Sequence, residues 1–84
     1  MVKSSKLYEQ LLQSTSRSIA YRDFERLVIA FGFSFKRMSG SHAIYAHPLL
    51  PRPFPIQPEG KDAKRYQVRE LLELVEQYGL QMDA

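Results

Sequence analysis

The segment AKRYQVRELLELVEQYGL, residues 63–80, has the clearest helical pattern in the chain. Its apolar residues recur every three or four positions and form a single stripe, which comprises Val68, Leu71, Leu72, Val75 and Tyr78. Asp62, in a predicted PEGKD turn, is the expected N-cap, and Gly79 is the expected left-handed residue at the helix end. Because a helix of this kind is stable only when its stripe is covered, other segments must supply a partner surface.

A second helix with one apolar stripe is predicted for YRDFERLVIAFGF, residues 21–33. The stripe comprises Tyr21, Phe24, Leu27, Val28 and Phe31. Gly32 is the expected left-handed residue after this helix. Ala20 stands at the likely N-cap and is a poor residue there, so the start of the helix is defined less sharply than its end.

Three short β-rich runs lie between the two helices, namely FSFKRM, SHAIYAH and RPFPIQ. Ser39 and Gly40 join the first two runs, and a two-residue link with glycine predicts a tight hairpin turn. The third run contains Pro53 and Pro55, which cannot donate ladder hydrogen bonds. This run is therefore expected at an edge of the sheet or as an irregular strand.

The order of elements predicts an α+β fold, α-β-β-β-α, preceded by a short extra N-terminal helix. A three-stranded antiparallel sheet with two helices packed on one face buries both helical stripes. The 84 residues make one domain, 1–84, in which 1–17 is an N-terminal helical extension and 18–81 is the core. The extension contains SSKLYEQLLQ, whose leucines at helical spacing are Leu7, Leu11 and Leu12.

Several classes of protein are disfavoured by what the sequence lacks. There is no cysteine, so disulfide frameworks and thiolate metal sites are excluded, which suits a reducing cytoplasm. No run of about 18 apolar residues is present, and the first residues lack the apolar region of a secretory signal. The chain has neither a GxxxxGK[ST] nor a GxGxxG motif, so no nucleotide cofactor is predicted. We expect a cytoplasmic protein with no membrane association and no cofactor.

The net charge is +3, from twelve Lys and Arg residues against nine Asp and Glu residues. This balance is compatible with binding RNA or DNA, but many basic domains of this size bind no nucleic acid. Charge alone therefore leaves both interpretations open.

His42 is the principal candidate for a catalytic residue. It directly follows Gly40 and Ser41, where glycine permits a close approach of ligand and serine offers a hydroxyl and a backbone N–H. Lys36 and Arg37 lie on the partner strand and suit a phosphodiester, whose oxygens the cations hold while histidine moves a proton. The alternative is that a single histidine at a strand start only packs at the surface.

A metal site at His42 is not predicted. His47 is five residues away and of opposite parity, so the two rings point to opposite faces of an extended strand. We interpret His47 as structural or incidental.

Lys61, Lys64, Arg65 and Arg69 cluster near the start of the last helix. Cations oppose the helix dipole at that end, so their placement can serve to attract phosphate. Solvation of the helix, or pairing with an acidic partner, explains the cluster equally well.

Two segments carry a resemblance to a known family. FERLVIAFGFSFKRMSGSHAIYAHP, residues 24–48, resembles the HicA-type toxins, which are small messenger-RNA interferases of bacterial type II toxin–antitoxin pairs. IQPEGKDAKRYQVRELLELVEQYGL, residues 56–80, is similar to the C-terminal part of one branch of that family. The shared residues are Gly32, Phe33, Arg37, the triplet Gly40-Ser41-His42, and Tyr66-Gln67-Val68-Arg69. The resemblance covers about residues 18–81.

The resemblance implies a double-stranded-RNA-binding-domain-like fold, with His42 as the catalytic residue. It also implies metal-independent RNA cleavage and a HicB-type antitoxin that blocks the site. Two features depart from the family pattern. Many members have a second histidine at the end of the third strand, where this chain has Pro55-Ile56-Gln57-Pro58, and the N-terminal helix is unusual for the shorter members.

The leading hypothesis is therefore an RNA endonuclease toxin with His42 as general acid or base. The RNA- or phosphate-binding residues predicted with it are Lys36, Arg37, Gly40, Ser41, Lys61, Lys64 and Arg65. Two alternatives stay open, a non-catalytic RNA-binding module of the same fold and a subunit that binds only protein.

Overall fold

The computed structural model describes residues 4–13 and 18–82. Its helices are α1 Ser4–Gln13, α2 Tyr21–Ala30 and α3 Arg65–Tyr78. Its strands are β1 Ser34–Ser39, β2 His42–Ala46, β3 Phe54–Ile56, β4 Pro58–Glu59 and β5 Asp62–Ala63. Strands β1, β2 and β3 form one antiparallel sheet in that order, and β4 pairs with β5 in a small second sheet. None of these helices is long and apolar enough to cross a membrane.

The α2-β1-β2-β3-α3 order confirms the predicted α+β fold and agrees with a double-stranded-RNA-binding-domain-like arrangement. Every second residue of β2 and β3 points to the same face of the sheet, and these side chains form one core with those of the helices. The fully buried members of this core with the largest side chains are Phe24, Leu11, Leu27, Ile56, Leu71, Val28 and Val68. The stripes of α2 and α3 are therefore covered as predicted, with Tyr21 and Tyr78 at their margins.

The strand β3 is an edge strand, as Pro53 and Pro55 of the predicted run RPFPIQ indicated. It pairs with β2 alone in the three-stranded sheet, and Pro55 lies opposite Ile44. A proline on such a strand removes no ladder bond if its nitrogen faces outward. The structure thus accommodates both prolines without interrupting the centre of the sheet.

The turn between β1 and β2 lies one residue later than predicted. Ser39 pairs with His42, so the two turn residues are Gly40 and Ser41, and the prediction of Ser39–Gly40 is wrong. Gly40 has φ +61° and Ser41 does not have a positive φ, which is the pattern of a type II′ turn. That turn requires glycine at its first central position, and this requirement sets the register.

The β4–β5 hairpin holds the start of α2. Ala20 offers no capping side chain, and instead the Tyr21 N–H donates to the Lys61 carbonyl at 2.9 Å. The Ala63 N–H donates to the Ile19 carbonyl, also at 2.9 Å. A backbone partner thus replaces the missing N-cap side chain.

The predicted N-cap role of Asp62 is wrong. Asp62 lies in β5, where it pairs with Glu59 and bridges to Ala20. The N-cap of α3 is Lys64, which makes no side-chain capping bond. Pairing of Asp62 with two extended segments keeps its backbone outside the helix, so its carboxylate cannot cap the first turn.

Helix α1 is part of the main core. Leu7 and Leu11 are buried, and the Tyr8 ring packs edge-on against Phe31 with centroids 5.0 Å apart. Leu12 follows Leu11 in the sequence but is 58% exposed. Leu12 lies about 100° round the helix from Leu11 and so misses the face that contacts α2. Residues 1–3 and 14–17 of the predicted extension lie outside the described residues.

His47 ties the end of α2 to the chain beyond β2. Its Nδ1 accepts the Leu49 N–H at 3.0 Å, so the ring carries its proton on Nε2 and donates to the Phe31 carbonyl at 3.1 Å. The same ring meets Phe33 edge-on, with centroids 5.1 Å apart. Gly32 sits beside it with φ +95°, and a Cβ there would lie 3.1 Å from His47 Nε2.

Replacement of Gly32 by alanine is expected to destabilise the protein more than replacement of Gly79. Both glycines have positive φ, which costs an alanine about 1–3 kcal/mol. A Cβ at Gly79 meets nothing within 4 Å, whereas a Cβ at Gly32 also displaces His47 and its hydrogen bond, worth about 1 kcal/mol. Urea unfolding of Gly32→Ala and Gly79→Ala measures the difference, and equal losses would contradict the role of His47.

Candidate active site

His42 begins β2 immediately after the Gly40–Ser41 turn. It is half-buried and lies opposite Ser39 of β1. Its parity matches that of Ile44, whereas Ala43 and Tyr45 belong to the core shared with the helices. The His42 side chain therefore lies on the sheet face away from the helices, which we call the open face.

A β-bulge decides which cation shares the open face with His42. Phe35 pairs with Tyr45 and Arg37 pairs with Ile44, so Lys36 is the extra residue between them. Without the bulge, Lys36 would lie opposite Ile44 and Arg37 would turn toward the core face. The bulge thus places Arg37 diagonally across from His42, a separation that a long side chain can span.

The predicted phosphate-binding residues of the hairpin are accessible. Lys36, Arg37, Gly40 and Ser41 are all exposed. A Cβ at Gly40 would meet nothing within 4 Å, so the turn is open to a ligand. In the part of the chain that the structure describes, no side-chain hydrogen bond or ion pair engages His42. Its ring nitrogens are available to a substrate.

The second basic group lies on other elements. Lys61 is in the β4–β5 turn, and Arg65 is the exposed first residue of α3. Lys64 precedes Arg65, and its Nζ lies 6.0 Å from the centroid of the Tyr66 ring. Among the described contacts, no ion pair or side-chain hydrogen bond joins these cations to His42. They form a separate basic surface beside the start of α3.

Gln67 has a structural role that the sequence did not reveal. It is 2% exposed, and its Oε1 accepts the Gln57 N–H at 3.0 Å. Its Nε2 donates to the Pro55 carbonyl at 3.4 Å, so the amide fixes the first turn of α3 to the end of β3. The available signal was a polar residue one helical turn before Leu71, on the buried stripe.

On the core side of the hairpin, Tyr45 contacts Glu25 of α2. The Tyr45 hydroxyl donates to Glu25 Oε2 at 3.2 Å, and the tyrosine is 3% exposed. Burial, and secondly the Glu25 charge, raises the pKa of Tyr45 to about 12. The same two causes, in the same order, raise the pKa of Tyr21. Neither phenol is a proton carrier at neutral pH.

The raised pKa of Tyr45 predicts a loss of stability in alkali. The folded state favours the neutral phenol, so this contribution is full below pH 10.0, the ordinary pKa, and is lost as pH rises through about 12. Tyr45→Phe lacks this titration. Its unfolding free energy is therefore expected to fall less steeply than that of the native chain between these two pH values. Urea unfolding across this range, with tyrosine ionisation followed by absorbance, measures both quantities; identical slopes would contradict the prediction.

The described ranges contain no cluster of three or more His, Asp or Glu residues that could hold a metal ion. His42 and His47 are separated as their parity predicts, because His47 bonds to the end of α2.

Comparison with known proteins identifies one matching family. A family model described as the HicA toxin of bacterial toxin–antitoxin systems matches residues 21–80. That range runs from the first residue of α2 to Leu80 and leaves α1 outside. No curated protein and no solved structure matches the chain significantly.

Proposed function

The chain belongs to the HicA toxin family of bacterial toxin–antitoxin systems, and on that premise we propose that it is a ribonuclease that cleaves messenger RNA. The observation that supports this most directly is the position of His42. It starts a strand on the open face, without a protein partner among the described side chains, next to an exposed turn and diagonal to Arg37.

In the proposed reaction, His42 acts as a general acid or base. The RNA 2′-hydroxyl or a water attacks the phosphorus, and the imidazole accepts the proton of the attacking hydroxyl or supplies one to the leaving oxygen. Histidine suits both steps because its side chain exchanges protons near neutral pH. A ring nitrogen free of protein hydrogen bonds can approach the 2′-oxygen directly. The proposed mechanism needs no metal ion.

The exposed cations of β1 supply the complementary charge. Arg37 can hold two phosphate oxygens at once, and Lys36 projects from the bulge as a point charge. Gly40 leaves room for the phosphate, and Ser41 offers its hydroxyl and its turn N–H. We assign these four residues to positioning the scissile phosphate.

Lys61, Lys64 and Arg65 are proposed to hold phosphates further along the strand. They are spread over the β4–β5 turn and the start of α3, and no described ion pair neutralises them. Loss of one such contact is expected to weaken binding to RNA of any sequence and to reduce its dependence on salt.

The proposed partner is a HicB-type antitoxin, which would block the hairpin that carries His42. Membership of a toxin–antitoxin family implies that the chain has an antitoxin partner. Because messenger RNA lies in the cytoplasm, the proposed protein acts there and does not associate with a membrane.

One observation favours a second candidate, a non-catalytic RNA-binding module. The end of the third strand, Pro55-Ile56-Gln57-Pro58, has no histidine, whereas many of the toxins that the chain resembles have a second histidine there. Binding through phosphates and 2′-hydroxyls requires only the exposed cations.

Purified protein incubated with RNA and a chelator separates the two candidates. The nuclease is expected to release cleavage products in the presence of the chelator. It is also expected to arrest the growth of bacteria in which its synthesis is induced. Binding of RNA without products would contradict the nuclease and support the module.

A further inference from the structure

We propose that a cleft on the core side of the β1–β2 hairpin binds one unpaired guanine base of the RNA. This proposal rests on the proposed ribonuclease function and gives it a sequence preference. The cleft has a volume of about 510 Å³, and its walls include Glu25, Phe35, Met38, Ser41 and Tyr45. We call it the Glu25 cleft. Its size falls within the range of small-molecule sites, about 300–1,000 Å³.

The aromatic wall of the cleft offers a stacking surface. Phe35 is 52% exposed, although phenylalanine is ordinarily buried, and Met38 beside it is 57% exposed. Phe35 meets Tyr45 edge-on, with centroids 5.7 Å apart and planes at 69°. The buried Tyr45 therefore supports the Phe35 ring while a face of that ring stays open, which is how single-stranded nucleic acids are gripped through their bases.

The polar group of the cleft is a carboxylate held in place. Glu25 is half-buried, and the Tyr45 hydroxyl bonds its Oε2 at 3.2 Å. The ion pair found among the described residues joins Arg26 to Asp23, so no cation there neutralises Glu25. An unneutralised carboxylate repels a phosphate and accepts hydrogen bonds from N–H groups. The RNA backbone is thereby kept outside, and a base with N–H donors is favoured inside.

Guanine matches this carboxylate better than the other bases. Its N1–H and its 2-amino group are adjacent donors on one edge, so they can reach the two carboxylate oxygens together. Adenine and cytosine have an amino donor beside an acceptor nitrogen, and uracil has one N–H between two carbonyls. A charge-assisted, paired contact of this geometry is the strong kind.

The Glu25 cleft also adjoins the turn that precedes His42. Ser41 lines it and immediately precedes His42, whose side chain lies on the opposite face of the sheet. A strand that crosses the exposed Gly40–Ser41 turn can leave its phosphate at His42 and turn a nearby base into the cleft. Cleavage would then be biased to positions close to an unpaired guanosine.

The test measures binding apart from cleavage. Short uridine oligomers with one central guanosine or one central inosine, which lacks the 2-amino group, are titrated against the His42→Ala chain, which spares the RNA. We expect guanosine to bind about tenfold more tightly than inosine, equal to about 1.4 kcal/mol. Adding Glu25→Gln should remove most of this preference while keeping an acceptor for Tyr45. Glu73→Gln, an equal charge change at an exposed position of α3, should preserve it.

The stacking wall is tested by Phe35→Ala, whose exposed ring makes unfolding of the variant a minor concern. It should weaken binding of both oligomers about tenfold, within the range of one base stacked on an aromatic ring.

Equal binding of guanosine and inosine, or a preference unchanged by Glu25→Gln in a chain of native melting temperature, would overturn the proposal. Cleavage by the native chain without guanine preference would contradict the proposed guanine site alone. Guanine-selective binding without cleavage would contradict the proposed ribonuclease function alone.

Discussion

Replacement of His42 by alanine is expected to lower the rate of RNA cleavage by about 10²–10⁴-fold, the range for loss of a general acid or base. His42 is half-buried at the start of β2, and no described side chain bonds to it, so its removal leaves no protein group without a partner. RNA binding should change little, because the exposed cations remain. Cleavage of a labelled RNA in chelator, with binding measured in parallel, gives both values.

His42→Asn is the matched control for this experiment. Asparagine keeps a polar side chain at the strand start but cannot exchange a proton near neutral pH, so its cleavage rate should fall as far as that of alanine. Both variants should melt close to the native temperature. A variant that cleaves at the native rate, or that loses binding and folding together with cleavage, would remove His42 from the reaction.

Replacement of Leu11 by alanine is expected to destabilise the protein by about 2–5 kcal/mol, the cost of truncating a fully buried leucine. Leu11 is 0% exposed and belongs to the same core as α2, α3 and the sheet. Small domains are stable by about 5–15 kcal/mol, so this one change removes a large share of that stability. Urea unfolding followed by circular dichroism measures the loss as a shift in midpoint.

The neighbouring residue provides the control. Leu12 is 58% exposed on the same helix, and Leu12→Ala should change stability by less than about 0.5 kcal/mol. The contrast tests whether α1, which lies outside residues 21–80 of the family match, is required for folding. Equal effects of the two substitutions would show that α1 is not packed as described.

Periodicity was sufficient to predict the helices and the order of β1, β2 and β3. The stripes of α2 and α3 are long enough to show a period, and Gly32 and Gly79 adopt the predicted positive φ after them. Strands β4 and β5 have two residues each, which is too short for any period to be visible. Asp62 consequently looked like a cap when it was a strand residue.

The position of His42 in the fold was predictable from the sequence, whereas the geometry around it was less so. The Gly-Ser-His triplet indicated the strand start at His42, and parity separated it from His47. The bulge at Lys36 was not predictable, because a single extra residue leaves the composition of a strand unchanged. The contact between Tyr45 and Glu25 joins residues 20 apart and depends on how α2 crosses the sheet.

The small β4–β5 hairpin has a consequence for how the molecule opens. The amides of Tyr21 and Ala63 are protected by bonds that cross between the start of α2 and this hairpin. Exchange of either amide with solvent therefore requires the start of α2 and the β4–β5 hairpin to separate from each other. The entry of α2 and the segment leading into α3 therefore form one cooperative unit of local unfolding, although more than forty positions of the chain lie between those two helix starts.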